Sequence, residues 1–205
     1  MNDLVITISR EFGSGGRQIG IMLSEKLGIP YYDKELIKLA SEQSGINENL
    51  FGLADEKTKG GLFKKPKVYS GDITTPDSPE FTSEENLFNY QAKVIKDLAE
   101  KNSPCIIIGR CADFVLSGRK NTLRLFIWAD MENRIKNTMN ICGFDRKESE
   151  KQIEKINRER STYYKTHTGR DWDDVRNYDL CINTSEHGLE KSAQIILDYI
   201  NVMYK

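Results

Sequence analysis

Histidine occurs twice in this chain and cysteine four times, and neither falls in a ligating pattern. Cys105, Cys111, Cys142 and Cys181 form no C-x-x-C pair and have no histidine at ligand spacing, while His167 and His187 stand alone. No metal centre built from cysteine and histidine, and no disulfide framework, is therefore expected. Cys105 and Cys181 each open an apolar run, where a reduced thiol acts as a small hydrophobe. Net charge is also missing: 30 Lys+Arg oppose 31 Asp+Glu, so no global field attracts nucleic acid or anionic lipid. Nor is there an aromatic-basic patch of the nucleic-acid-binding kind. No apolar run approaches the ~20 residues of a membrane span, and no signal-type segment opens the chain. The expectation is a cytoplasmic protein without nucleic-acid or membrane partners. Internal repeats and low-complexity tracts are absent too.

What is present suits one well-buried core. The 205 residues are 38% hydrophobic and 30% charged, which reads as a single domain, 1–205, carrying an insertion. Five β-rich runs alternate with helical patterns: Leu4–Ser9, Ile29–Tyr32, Cys105–Gly109, Thr122–Ala129 and Tyr178–Asn183. Runs such as "CIIIG" and "LRLFIWA" are apolar throughout, as strands buried on both faces must be. Strands separated by helices predict an α/β layered domain with a parallel sheet. The first helix is expected from Gly16 to Leu27, stopped by Gly28. A long helix is expected over 83–102, opened by a capping box Thr82-x-x-Glu85, with Leu87, Val94, Ile95 and Leu98 on its apolar stripe. A last helix, Leu189–Met203, carries Ala193, Ile196, Leu197 and Ile200 on one side. Residues 57–81, rich in Gly, Pro, Ser, Thr and Lys, read as a mobile loop, and 131–176 as charged helix.

The chemistry begins at "SREFGSGGRQIG", directly after the first strand. Ligands of parallel α/β sheets bind at the carboxyl ends of strands, and this loop stands there. Gly13, Gly15 and Gly16 admit backbone angles closed to other residues, so successive N–H groups can converge on an anion. The helix that follows adds partial positive charge at its start. The common rule G-x-x-x-x-G-K-[ST] is not met: Gly16 stands at the lysine's place and Gln18 at the hydroxyl's. Arg17 and Arg10 flank the bend and can grip phosphate in the lysine's stead. The bland alternative is a tight turn whose glycines serve packing alone.

With these residues in view the chain resembles the cytidylate kinase-like family, a branch of the P-loop nucleoside monophosphate kinases. "ISREFGSGG" resembles the branch's altered phosphate loop, "LGIPYYDKELI" its second strand and acidic end, and "IIIGRCADFVL" the strand ending in "GR". "LRLFIWADMENRI", "RERSTYYKTHTGRDW" and "YDLCINTS" complete the likeness. The resemblance implies a three-layer α/β/α P-loop fold with five parallel strands in the order 2-3-1-4-5. It implies a core of 1–33, 91–130 and 177–205, an acceptor-binding insertion at 34–90 and a lid at 131–176. It also implies transfer of a phosphoryl group from ATP, with Mg2+, to a small acceptor, most plausibly a nucleoside monophosphate such as CMP. Closing flaps would exclude water. The cytidylate kinases' D-[ST]-G-A-[IM]-Y-R run is replaced by "DKELIKL", so Lys34, Glu35 and Lys38 change that pocket's charge. Another small metabolite is the alternative acceptor, and a nucleotide-binding regulatory module without turnover the alternative role.

Site residues follow from position. Gly13, Ser14, Gly15, Gly16, Arg17 and Gln18 are expected at the ATP phosphates. Asp33, ending the second strand, can accept from the acceptor, hold a magnesium-bound water, or cap the helix after it. Lys34 follows it at the acceptor. Arg110 ends the third strand and, by resemblance, grips the acceptor's phosphate. Asp113 can contact a base or cap the helix "DFVL", with capping preferred. On a helical wheel Ile153, Ile156, Arg160, Tyr163, Tyr164 and His167 share a face while Arg158 points away. An arginine on such a face needs an anionic partner, which nominates Arg160 beside Arg17 and Arg110 as the catalytic cations. Lys165 and Arg170 are expected as further contacts, and Tyr163 and Tyr164 as packing residues. Magnesium ligands are not evident, since "CIIIGR" holds no carboxylate.

Overall fold

A computed structural model describes residues 3–55 and 68–204. The five strands are β1 (Val5–Arg10), β2 (Tyr31–Tyr32), β3 (Cys105–Ile108), β4 (Thr122–Trp128) and β5 (Leu180–Asn183). They form one sheet in the order β2-β3-β1-β4-β5, with every pairing parallel. β1 is central. Its registers place Ile6 against Ile106 on one side and Leu123 on the other. Ile106, Ile107 and Ile108 are fully buried, each contributing about 1.5–3 kcal/mol by leaving water. β2 is shorter than the pattern predicts because Pro30 has no N–H to donate; its carbonyl still accepts from the Ile106 amide at 2.9 Å.

Helices cover both faces. On one face α1 (Gly16–Leu27) and α8 (Thr184–Met203) enclose Ile8, Ile19, Leu23, Ile127 and Ile196. α1 begins and ends where its sequence predicts, with Gly28 left-handed at its C-cap. α8 starts earlier than expected, yet Gly188 breaks it (φ 70, ψ 173), so the regular part does begin at Leu189. The other face packs under α2 (Glu35–Ser44), α3 (Glu48–Ala54), α4 (Glu84–Lys101) and α5 (Ala112–Val115). α6 (Met131–Cys142) and α7 (Arg146–Thr168) make up most of the charged segment.

Two local expectations are corrected. α4 is capped by Ser83, whose hydroxyl accepts from the Asn86 amide at 3.2 Å; Ser is as good a cap as Thr, and the start shifts by one residue from the Thr82 box. The described part of the expected mobile loop, 68–81, is tied down: buried Asn86 accepts from the Thr74 amide and donates to the Phe81 carbonyl, both at 2.8 Å. The Tyr69 amide also donates to the His167 carbonyl at 2.9 Å. Residues 57–67 of that expectation lie outside the described residues. Among the described residues no helix is long and apolar enough to cross a membrane.

Candidate active site

The bend after β1 is held from outside. Asn137 of α6 donates to the Gly13 carbonyl and Thr184 of α8 to the Ser14 carbonyl, both at 2.8 Å. A planar trans peptide points its N–H opposite to its C=O, so the Gly15 amide faces away from Thr184 into the bend. The Phe12 and Ser14 amides are taken, by the Asn157 side chain (2.8 Å) and the Glu11 carbonyl (3.3 Å). The amides of Gly15, Gly16, Arg17 and Gln18 have no acceptor among the described residues. The last three are the first-turn donors that a helix leaves open.

Gly13 and Gly15 are both left-handed, with φ 81. They also serve packing. A Cβ on Gly13 would stand 2.7 Å from the Arg134 carbonyl, and one on Gly15 would stand 2.3 Å from Leu189 Cδ2. The packing explanation thus holds alongside the open amides; the glycines meet both demands.

Arg17, Asp33 and Arg110 come together beside this bend. Asp33, 6% exposed, meets Arg17 Nε at 3.0 Å and Arg110 Nη1 at 3.5 Å. It does not cap α2: the cap position is Lys34, whose side chain makes no capping bond, and Glu35 reaches back to accept from the Asp33 amide at 3.0 Å. That bond and the nearby positive charges hold the Glu35 carboxyl below its ordinary range. The Tyr31 phenol and Asp33 raise the Arg17 guanidinium further. Burial first, then Asp33, pushes the Tyr31 phenol up to about 12.

Arg110 is 2% exposed and sits in three consecutive left-handed residues: Gly109 (φ 68), Arg110 (φ 51) and Cys111 (φ 56). Non-glycine residues pay about 1–3 kcal/mol for this, and such strain concentrates at functional sites. Its guanidinium donates to the Ile108 carbonyl at 3.2 Å and to Asp55 Oδ2 at 2.9 Å, while Nε lies 2.9 Å from Asp55 Oδ1. Asp55, just past α3, was invisible to sequence reasoning, because nothing in "GLADEK" marks one acid over its neighbours. Asn157 and Asn137 were missed for the same reason.

Arg160 of α7 turns toward the bend and donates through Nη1 to the Arg10 carbonyl at 2.9 Å. Arg10, Arg110 and Arg160 all line a cavity of about 10 Å³, roughly one water, together with Tyr163, Tyr164 and Trp172. On the bend's outer side a larger cavity of about 340 Å³ is lined by Gly13, Gly15, Gln18, Asn137, Thr184 and Leu189.

The other expected contacts lie elsewhere. Asp113 does not cap α5, whose cap position is Cys111. Its carboxylate is buried and accepts from Tyr164 (2.6 Å) and Ser9 (3.5 Å), because a fully enclosed acid must find donors. Burial raises its pKa to about 6. Lys165 pairs with Asp171 at 2.8 Å, and Arg170 lies over the Phe114 ring at 5.1 Å; no contact joins either to Arg17, Asp33 or Arg110 among the described residues. Tyr163 and Tyr164 are buried, and Arg158 is exposed, as the wheel predicts.

This arrangement has relatives. A family model for the cytidylate kinase-like family matches residues 5–186. The chain belongs to that family. No curated protein matches its sequence. An uncharacterized protein from Eubacterium ventriosum ATCC 27560 shares its structure with TM-score 0.71 at 26% identity, over 97% of this chain and 98% of that one. Shikimate kinase from Bacteroides thetaiotaomicron gives TM-score 0.55 at 13% identity, covering 97% and 98%. Shikimate kinase from Acinetobacter baumannii, solved with shikimate, gives 0.53 at 14%, covering 100% and 97%. The five-stranded sheet in 2-3-1-4-5 order is the P-loop kinase fold. Family and fold together support a small-molecule kinase.

Proposed function

We propose that this cytidylate kinase-like protein transfers a phosphoryl group from ATP to a small acceptor, a nucleoside monophosphate such as CMP. The observation that carries the reading is the set of open amides at Gly15, Gly16, Arg17 and Gln18, at the carboxyl end of the central strand. Four convergent donors and a helix start suit a polyphosphate without a lysine. The 340 Å³ cavity on the bend's outer side, walled by amide and hydroxyl groups, suits the nucleoside of ATP.

ATP supplies the phosphoryl group; its γ-phosphorus–oxygen bond breaks as one forms to an acceptor phosphate oxygen, leaving ADP and a nucleoside diphosphate. The chain's residues position and neutralise. Arg17 and Arg110 stand on the acceptor side with Asp33 between them, and Arg160, on the helix we assign as the lid, bridges to the strand before the bend. Tyr163, Tyr164 and Trp172 line the small cavity that Arg110 and Arg160 share. A magnesium site does not fit the described residues. Asp33 is committed to two arginines and Glu11 to Arg134 and the Ala129 amide, and no three carboxylate, histidine or cysteine groups gather. No step is assigned to a protein-held metal.

A second reading, another small phosphorylated or hydroxylated metabolite, is favoured by Lys34 and Glu35 beside Asp33. A coupled ADP-release assay over nucleoside monophosphates and small hydroxyl and phosphorylated metabolites tests both. Turnover with CMP or a related monophosphate supports the first and turnover with another metabolite the second. Tight ATP binding without turnover on any acceptor would instead mark a regulatory module.

A further inference from the structure

Arg110 is placed to hold an anion, and the chain already supplies one. Asp55 Oδ2 accepts from Arg110 Nη2 at 2.9 Å and its Oδ1 stands 2.9 Å from Nε as an ion-pair contact, on the side of the guanidinium that an incoming carboxylate or phosphate would use. The two carboxylates on Arg110 differ in access. Asp33 is behind, with its side chain 9% exposed and also held by Arg17; Asp55 is in front, 24% exposed, and lines a groove of about 540 Å³ with Lys34 and Ile37. The Arg110 guanidinium is buried and also donates to the Ile108 carbonyl at 3.2 Å, whereas Asp55 is the C-cap residue of α3 and the more accessible of the two acids.

We infer that Asp55 determines acceptor specificity by occupying the Arg110 fork, so that an acceptor's phosphate binds there only by displacing it. The inference rests on the kinase reading for its acceptor, but the displacement itself needs no turnover. It follows from charge: two anions cannot share one fork without repulsion, so a doubly charged phosphate that can fill both contact points prevails and a weaker anion does not. Acceptors lacking such a group would leave Asp55 in place.

The test compares wild type with Asp55→Asn, which keeps the size and one acceptor oxygen while removing the charge. Calorimetric titration with inorganic phosphate and with CMP should show the variant binding at least about tenfold tighter, because the buried cation has lost the more accessible of its two counter-charges. KM for the acceptor should fall by a larger factor than kcat changes. Equal or weaker binding by folded Asp55→Asn overturns the inference, as does absence of binding by both proteins. Should the variant not fold, wild type alone decides. Saturating phosphate must then shift the Arg110 Nε–H resonance and the amides of Asn49–Ala54 in NMR spectra, and silence there overturns it. Turnover on the acceptor panel with no Asp55→Asn effect sinks the displacement and leaves the kinase standing. Tighter phosphate binding without any turnover does the reverse.

Discussion

Arg160 donates to the carbonyl oxygen of Arg10 at 2.9 Å, tying the middle of α7 to the strand end that precedes the glycine bend. The bond spans 150 positions of sequence and brings a cation to the wall of the 10 Å³ cavity. Arg160→Ala should lower kcat by about a hundredfold or more, the usual cost of losing one preorganised charged donor. Arg160→Lys should not restore it, since a single ammonium cannot both hold the carbonyl and face the cavity. Steady-state kinetics on the acceptor found active in the panel checks both.

The two left-handed glycines should differ in how they fail. In Gly15→Ala the new methyl meets the end of the Leu189 side chain, which can turn aside, leaving left-handed strain of about 1–2 kcal/mol plus about 1–3 kcal/mol of overpacking. Adding Leu189→Ala removes the contact but not the strain, and creates its own loss at Leu189. Gly13→Ala meets the Arg134 backbone carbonyl, which cannot turn aside. Urea unfolding should rank Gly13→Ala as the more destabilised. A double-mutant cycle should show favourable coupling for Gly15→Ala with Leu189→Ala.

Asp113 and His167 should oppose each other in acid. Burial lifts Asp113 from 3.8 to about 6, so between those values the folded state holds a proton that the unfolded state has lost, and stability falls as pH rises by about 3 kcal/mol. Burial against Phe88 lowers His167 from 6.5 to about 4, so there the unfolded state holds the extra proton, and stability rises with pH by a similar amount. Asp113→Asn removes the first effect: its stability relative to wild type should grow as pH goes from 4 to 6. His167→Phe removes the second, gaining on wild type as pH falls from 6.5 to 4. Chemical unfolding at several pH values reads both signs.

Arg17 and Arg110 share Asp33 but not its surroundings. Arg17 is 58% exposed, and Arg17→Ala should cost less than about 1 kcal/mol while raising the acceptor KM. Arg110→Ala takes the buried cation from Asp55 and leaves Asp33 with the exposed Arg17 alone, and should cost about 3–5 kcal/mol. Denaturant midpoints for the two variants separate a surface ligand from a buried post.

The strands, their parallel arrangement and α1 were legible because each rests on local signals: fully apolar strands, a glycine bend and a glycine stop; the order of the strands came only with the resemblance to the family. The Arg160 face was legible because helical periodicity extends over α7. What escaped were long-range choices among equivalent residues. Asp113 sits where an acid usually caps, yet Tyr164, 51 positions away, claims it. Asp55 is one acid in a charged stretch and becomes special only when α3 meets the end of β3. Thr82 and Ser83 are interchangeable caps, and packing of α4 decides between them.

Amide chemical shifts test the central claim most directly. In 1H–15N spectra of the full chain titrated with ATP or inorganic tripolyphosphate, the amides of Gly15, Gly16, Arg17 and Gln18 should move downfield together and saturate. Those of Phe12 and Ser14, already bonded within the protein, should move far less. If nucleotide binds while the four amides stay still, or if they are unmoved at millimolar polyphosphate, the bend is a packing turn and the phosphate cradle is contradicted.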